Sequence, residues 1–91
     1  MVLSKNNISI LIIEDNPGDQ LLLQEDLKTS QIFNPDFTVV DNLADAYILL
    51  KHLNFSLIFL DLFLPDSTGL ESFTKLVKIN SICPIILVNY C

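Results

Sequence analysis

Leu57-Ile58-Phe59-Leu60-Asp61-Leu62-Phe63-Leu64-Pro65-Asp66-Ser67-Thr68-Gly69 is the stretch that decides the fold. Its first four residues are apolar without interruption, which suits a strand buried on both faces of a parallel sheet. Asp61 then stands where such a strand leaves the core. In an open α/β sheet that carboxyl edge is where ligands bind. A second run, Ile10-Leu11-Ile12-Ile13, ends the same way, in Glu14-Asp15. Two buried strands that both end in carboxylates predict one shared acidic pocket.

Working outward, the strands alternate with helical patterns. Ile8–Ile13 reads as the first strand. Asn16-Pro17 is a helix start, an N-cap residue followed by proline at the first helical position, and Asp19 favours that end through the helix dipole. The first helix is expected to run to about Ser30, with Leu23 and Leu27 on one face, and to be broken by Asn34-Pro35. Phe37–Val40 reads as a short second strand. Asn42 caps a second helix in which Leu43, Ala46, Leu50 and Leu53 recur at helical spacing. Leu57–Leu60 is the third strand. Thr68-Gly69-Leu70-Glu71 fits a capping box and opens a third helix with Leu70, Phe73 and Val77 as its apolar face. Pro84–Val88 is the fourth strand. This β-α-β-α-β-α-β order predicts an α/β, doubly wound parallel sheet with helices on both faces.

Bulk properties agree with one small domain. The chain has 91 residues, of which 51% are hydrophobic, and a mean hydropathy of +0.49. No apolar run approaches the roughly 18 residues of a membrane-spanning helix, and the polar start, Met1 to Asn7, does not read as a signal peptide. A net charge of −6 with five lysines and no arginine argues against nucleic-acid binding, which needs clustered basic residues. Cys83 and Cys91 form neither a CxxC motif nor a disulfide framework and read as reduced thiols of a cytoplasmic protein. His52 reads as surface, and Phe55, Phe59 and Phe73 as core. Phe63 is expected to be partly exposed beside the pocket, and Asp66 to be a loop residue that is not a ligand.

If the first and third strands are neighbours, Glu14, Asp15 and Asp61 converge. Two carboxylates about 5 Å apart repel by roughly 3 kcal/mol at an effective dielectric of 20. Three require either a retained proton or a cation among them. Oxygen-only ligands suit Mg²⁺. An Asp beside a bound metal is also a nucleophile for phosphoryl groups, because the metal offsets the incoming negative charge.

On Leu11-Ile12-Ile13-Glu14-Asp15-Asn16-Pro17-Gly18-Asp19 and Asp61-Leu62-Phe63-Leu64-Pro65-Asp66-Ser67-Thr68-Gly69, the chain resembles a response-regulator receiver domain of two-component signalling. The specific combination is an acid pair after the first strand, then Asp with Pro four residues on and Gly eight residues on. The resemblance covers essentially all 91 residues. It implies a flavodoxin-like sheet of strand order 2-1-3-4. It also implies that Asp61 accepts a phosphoryl group from the phosphohistidine of a histidine kinase or phosphotransfer protein. By the same resemblance, Asp15 and Asp61 bind Mg²⁺ directly with the backbone carbonyl of Phe63, Glu14 acts mostly through water, and Pro65 and Gly69 shape the loop over the site. Any autophosphorylation or autodephosphorylation is self-directed, so the chain is not expected to be an enzyme acting on other molecules.

Three departures from that family stand out. The position at the end of the fourth strand that usually carries Thr or Ser, and acts as a switch, is Asn89. The small residue that usually follows is Tyr90. The chain also matches the family only through the fourth strand. The expectation is therefore a partial receiver domain over residues 1–91, lacking the last helix-strand-helix segment and its phosphoryl-contacting Lys, and impaired in switching. Lys75 and Lys78 fall in the third helix and do not replace that Lys. An uncovered, uncharged Pro84–Val88 edge predicts self-association through the fourth strand. Asn89, Tyr90 and the missing Lys favour the alternative reading, a non-phosphorylated receiver-like module for protein interaction. A phosphatase-like hydrolase using Asp61 is disfavoured because the position two residues on, where such enzymes carry an acid, is Phe63.

Overall fold

The computed structural model describes residues 6–29, 33–79 and 83–88. Its elements follow the expected alternation: β1 (Asn6–Ile13), α1 (Pro17–Lys28), β2 (Phe33–Val40), α2 (Leu43–His52), β3 (Leu57–Asp61), a short antiparallel pair β4 (Phe63–Leu64) and β5 (Ser67–Thr68), α3 (Gly69–Ile79) and β6 (Ile85–Val88). The main sheet is parallel, in the order β2-β1-β3-β6. Because β4 and β5 are separate from it, β6 is the fourth strand of the sheet, and the flavodoxin-like order expected from the resemblance is the order found.

The period of two along each strand divides the core. Leu11 and Ile13 of β1 and Ile58 and Leu60 of β3 pack with Leu43, Ala46 and Leu76 from α2 and α3. Ile10, Ile12 and Phe59 point to the other face and pack with Leu23 of α1. A strand buried on both sides has no room for a polar position, which is why these two runs are unbroken.

Several boundaries differ from the sequence reading. β2 begins at Phe33, four residues before the expected Phe37, so Asn34-Pro35 lies inside a strand that follows the end of α1. An edge strand tolerates proline because its outward side needs no ladder donor, and β2 is at the sheet edge, with Pro35 opposite Ile8. α1 ends earlier than expected, at Lys28, with Thr29 as its C-cap. In α3 the apolar face is rotated from the expected one. Leu76 and Ser72 are fully buried, Phe73 is half-buried, Val77 is exposed, and Leu70 is 70% exposed. A first-turn leucine next to the open carboxyl edge has no layer above it to pack against. Leu53 likewise caps α2 in extended conformation and is exposed. Asn89, Tyr90 and Cys91 lie outside the described residues. Among the described residues no helix is long and apolar enough to cross a membrane.

Candidate functional site

The parallel register brings the acids together. Ile13 lies opposite Leu60, so the next residues on these neighbouring strands, Glu14 and Asp61, leave the sheet at the same level. Carboxylate oxygens of Glu14, Asp15 and Asp61 all lie within 4.8 Å of one another. Glu14 and Asp61 are buried, at 3% and 8% exposure, and Asp15 faces solvent. Among the described residues this is the one group of three or more side chains able to hold a metal ion.

Local structure holds each acid. The Glu14 N–H donates to the Val40 carbonyl at 2.9 Å, continuing the β1–β2 ladder one residue past the strand. The Glu14 carbonyl accepts from Gln20 Nε2 at 2.5 Å, and its Oε2 accepts from the Asn16 N–H at 3.1 Å. Asn16 in turn caps α1, its Oδ1 accepting from the Asp19 N–H. On β3, Asp61 Oδ1 accepts from the Phe63 N–H at 3.0 Å, and the Leu62 N–H reaches the Val88 carbonyl. The segment that follows folds back on itself, Phe63 opposite Thr68 and Leu64 opposite Ser67. It closes where the Gly69 N–H donates to the Leu62 carbonyl at 2.5 Å. Gly69 has φ +57°, a left-handed conformation that a side chain disfavours. This is the physical reason for glycine at that position.

The electrostatics are those of crowded acids. Burial first, and then the adjoining Asp61, push the Glu14 carboxyl from 4.5 up to about 7, against the lowering effect of its bond from the Asn16 N–H. An oxygen-only cluster with two buried members that resists a full set of negative charges is a donor set suited to a hard divalent cation. The residues present fit a hard divalent cation, with Glu14, Asp15 and Asp61 as the side chains able to hold it.

The receiver-domain family model of response regulators matches residues 10–90. The chain belongs to the response regulator receiver domain family. Solved structures agree with this assignment. The receiver is similar to the MaeR response regulator bound to beryllium trifluoride, with 28% identity and a TM-score of 0.79 over 92% of this chain and 68% of that one. It is similar to the Mn²⁺-bound form of response regulator Rcp1, with 27% identity and a TM-score of 0.76 over 92% and 66% of the two chains. The receiver domain of sensor histidine kinase PA1611 from Pseudomonas aeruginosa PAO1, with magnesium in its cleft, shares the fold at 23% identity, a TM-score of 0.74 and coverage of 89% and 66%. The receiver thus spans about two thirds of the length of these structures. Comparison with curated protein sequences gave no match.

Two residues near the site make bonds that are not legible in the sequence. Gln20 holds the Glu14 carbonyl from α1. Asp66, read as a plain loop residue, accepts from the Leu43 N–H at Oδ1 and the Ala44 N–H at Oδ2, both at 3.0 Å. Neither bond follows a local period, so no spacing rule announces them. Phe63 is 57% exposed beside the pocket, as expected. Lys75 pairs with Glu71 at 2.7 Å on the surface of α3.

Proposed function

We propose that this receiver domain is a phosphoacceptor, with Asp61 as the residue modified. The observation that carries the reading is the meeting of three carboxylates within 4.8 Å at the carboxyl edge of the sheet, on a chain of the receiver family. A carboxylate oxygen of Asp61 forms a P–O bond as the P–N bond of a phosphohistidine on a histidine kinase or phosphotransfer protein breaks. The released imidazole nitrogen keeps the electron pair and takes up a proton from solvent. Mg²⁺ is the proposed cofactor, held by Asp15 and Asp61 with the Phe63 backbone carbonyl, and by Glu14 largely through water. When bound, it would offset the charge of the incoming phosphoryl group. Pro65 and Gly69 are proposed to shape the loop over the site. The described residues stop short of Asn89, the proposed switch position. The similarity to relatives named with beryllium trifluoride and with Mn²⁺ supports this reading. The chemistry is self-directed, and the expected location is the cytoplasm.

The test is incubation with acetyl phosphate and Mg²⁺, followed by intact-mass analysis. One phosphoryl group on the wild type and none on Asp61→Asn is the expected result. An unmodified wild type, with Mg²⁺ bound, would leave the interaction-module reading in its place.

A second copy of the chain is also a proposed partner. β6 lies at the edge of the sheet, and Ile86 and Leu87 are 44% and 42% exposed. Such an edge invites pairing. Light scattering that reports a clean monomer at micromolar concentration would count against it.

A further inference from the structure

Asp66 sits at the tip of the β4–β5 hairpin, yet its bonds are made far from its own segment. Both its carboxylate oxygens accept backbone N–H groups from the first two residues of α2, 22 and 23 positions earlier in the chain. The first four N–H groups of a helix have no partner within the helix. In α2 the first three helical residues are answered from outside the ladder, Leu43 and Ala44 by Asp66 and Asp45 by the Asn42 side chain at 2.8 Å, and the ladder itself starts with Ala46 on the Asn42 carbonyl at 3.4 Å. The local cap therefore supplies one of these bonds and the hairpin supplies two.

The other end of the same hairpin holds the acidic cluster. The Phe63 N–H, on the first strand of the hairpin, donates to Asp61 Oδ1. The hairpin is tied at its base by the Gly69-to-Leu62 bond and at its tip by Asp66. A rigid two-strand piece fixed at both ends transmits displacement. Movement of the tip away from α2 changes where the Phe63 N–H stands, and with it the direction in which the Asp61 carboxylate is held.

We propose that Asp66 is a positioning residue that couples the acidic site to the start of α2, so that a divalent cation on the acids and the Asp66 clamp stabilise each other. This rests on the phosphoacceptor reading only in taking Mg²⁺ as the cation. Coupling of this kind is reciprocal. Mg²⁺ lowers the open fraction of the clamp, and opening of the clamp weakens Mg²⁺ binding by the same factor. The carboxylate is suited to the task because it offers two charged acceptor oxygens on one short stem to two adjacent N–H groups.

The experiment uses the full 91-residue chain, isotopically labelled, with amide hydrogen exchange and Mg²⁺ titration followed by NMR. In the wild type, saturating Mg²⁺ should slow exchange at Leu43 and Ala44 about five-fold or more, the lower range of measured site-to-site coupling. Asp66→Ala should weaken Mg²⁺ binding by a similar factor and abolish the response of those two amides. Asp66→Asn, which keeps one acceptor oxygen, should fall between. Asp36→Asn removes the same charge from an exposed position on β2, away from the α2 start, and should leave binding nearly unchanged. If Asp66→Ala does not fold, Asp66→Asn and the wild-type exchange data decide. Unchanged Leu43 and Ala44 exchange on Mg²⁺ binding, or equal Mg²⁺ affinity in wild type and folded Asp66 variants, would overturn the coupling alone. A wild type that binds no Mg²⁺ would overturn it together with the phosphoacceptor reading.

Discussion

Two helices begin at the rim of the acidic site, and they are held in different ways. α1 starts with Asn16 and Pro17, and its capping bond comes from three residues away. Its body is lightly anchored, with Leu23 its one buried side chain and Leu21 and Leu22 exposed. α2 has an equivalent local cap in Asn42, but also two bonds from Asp66 across the fold. The α1 start serves the acid pair directly, through Asn16 and Gln20 on Glu14. The α2 start serves Asp61 indirectly, through the hairpin. One half of the site is thus organised by near neighbours in sequence and the other by tertiary contact.

The largest expected effect probes the α1 half through pH. Glu14 titrates near 7 in the folded chain against 4.5 unfolded. Between those values the folded state binds more protons, so its favourable contribution is complete below pH 4.5 and is lost as pH rises through 7. At about 1.4 kcal/mol per unit, metal-free stability should fall by up to about 3 kcal/mol between pH 5 and pH 8. Urea unfolding across that range should show the fall in the wild type and a flatter profile in Glu14→Gln. An equal slope in both would place the crowding elsewhere.

Next comes the cation itself. With Mg²⁺ at about 100 times its dissociation constant, mass action raises stability by about 2.7 kcal/mol. Chelation should remove the gain, and Asp15→Asn should not show it in a thermal-shift titration. A gain that survives in Asp15→Asn would mean the cation binds outside the cluster.

The caps test the comparison directly. Asn16→Ala and Asp66→Ala should each cost about 1–2 kcal/mol, the usual range for a lost helix cap. Their reach should differ. Faster exchange of the Gly69 amide is expected only in Asp66→Ala, because Asp66 holds the hairpin and Asn16 does not. If Asn16→Ala also loosens Gly69, the two halves are one cooperative unit.

The smallest effect is a gain. Ser72 is fully buried on α3 and its hydroxyl has no hydrogen-bond partner among the described residues. Ser72→Ala should stabilise by about 0.5–1 kcal/mol, through helix propensity and removal of an unpaired buried hydroxyl. Mg²⁺ affinity should not change, which would separate α3 from the two helix starts that hold the site.

The alternation of apolar runs and capped helices was enough to read a parallel sheet with two strands that end in acids, because both follow from short-range periodicity and strand ends. The strand order that makes Glu14, Asp15 and Asp61 converge came from the family resemblance. The strand containing Pro35 and the rotated face of α3 were misread for one reason. Whether a proline or a leucine is acceptable depends on being at an edge, and edges exist only once the sheet is assembled. Asp66 escaped because a carboxylate in a polar loop looks the same in sequence whether it faces water or two backbone N–H groups 22 and 23 residues away.

The sequence by itself determined the family, the strand runs and the identity of the three acids, because these follow from local pattern and residue chemistry. Only the tertiary structure decided how the acids are held. The register of β1 against β3 sets Glu14 level with Asp61, and a hairpin pinned to α2 aims the Asp61 carboxylate. Those are contacts between segments, and their geometry does not exist before the chain has packed.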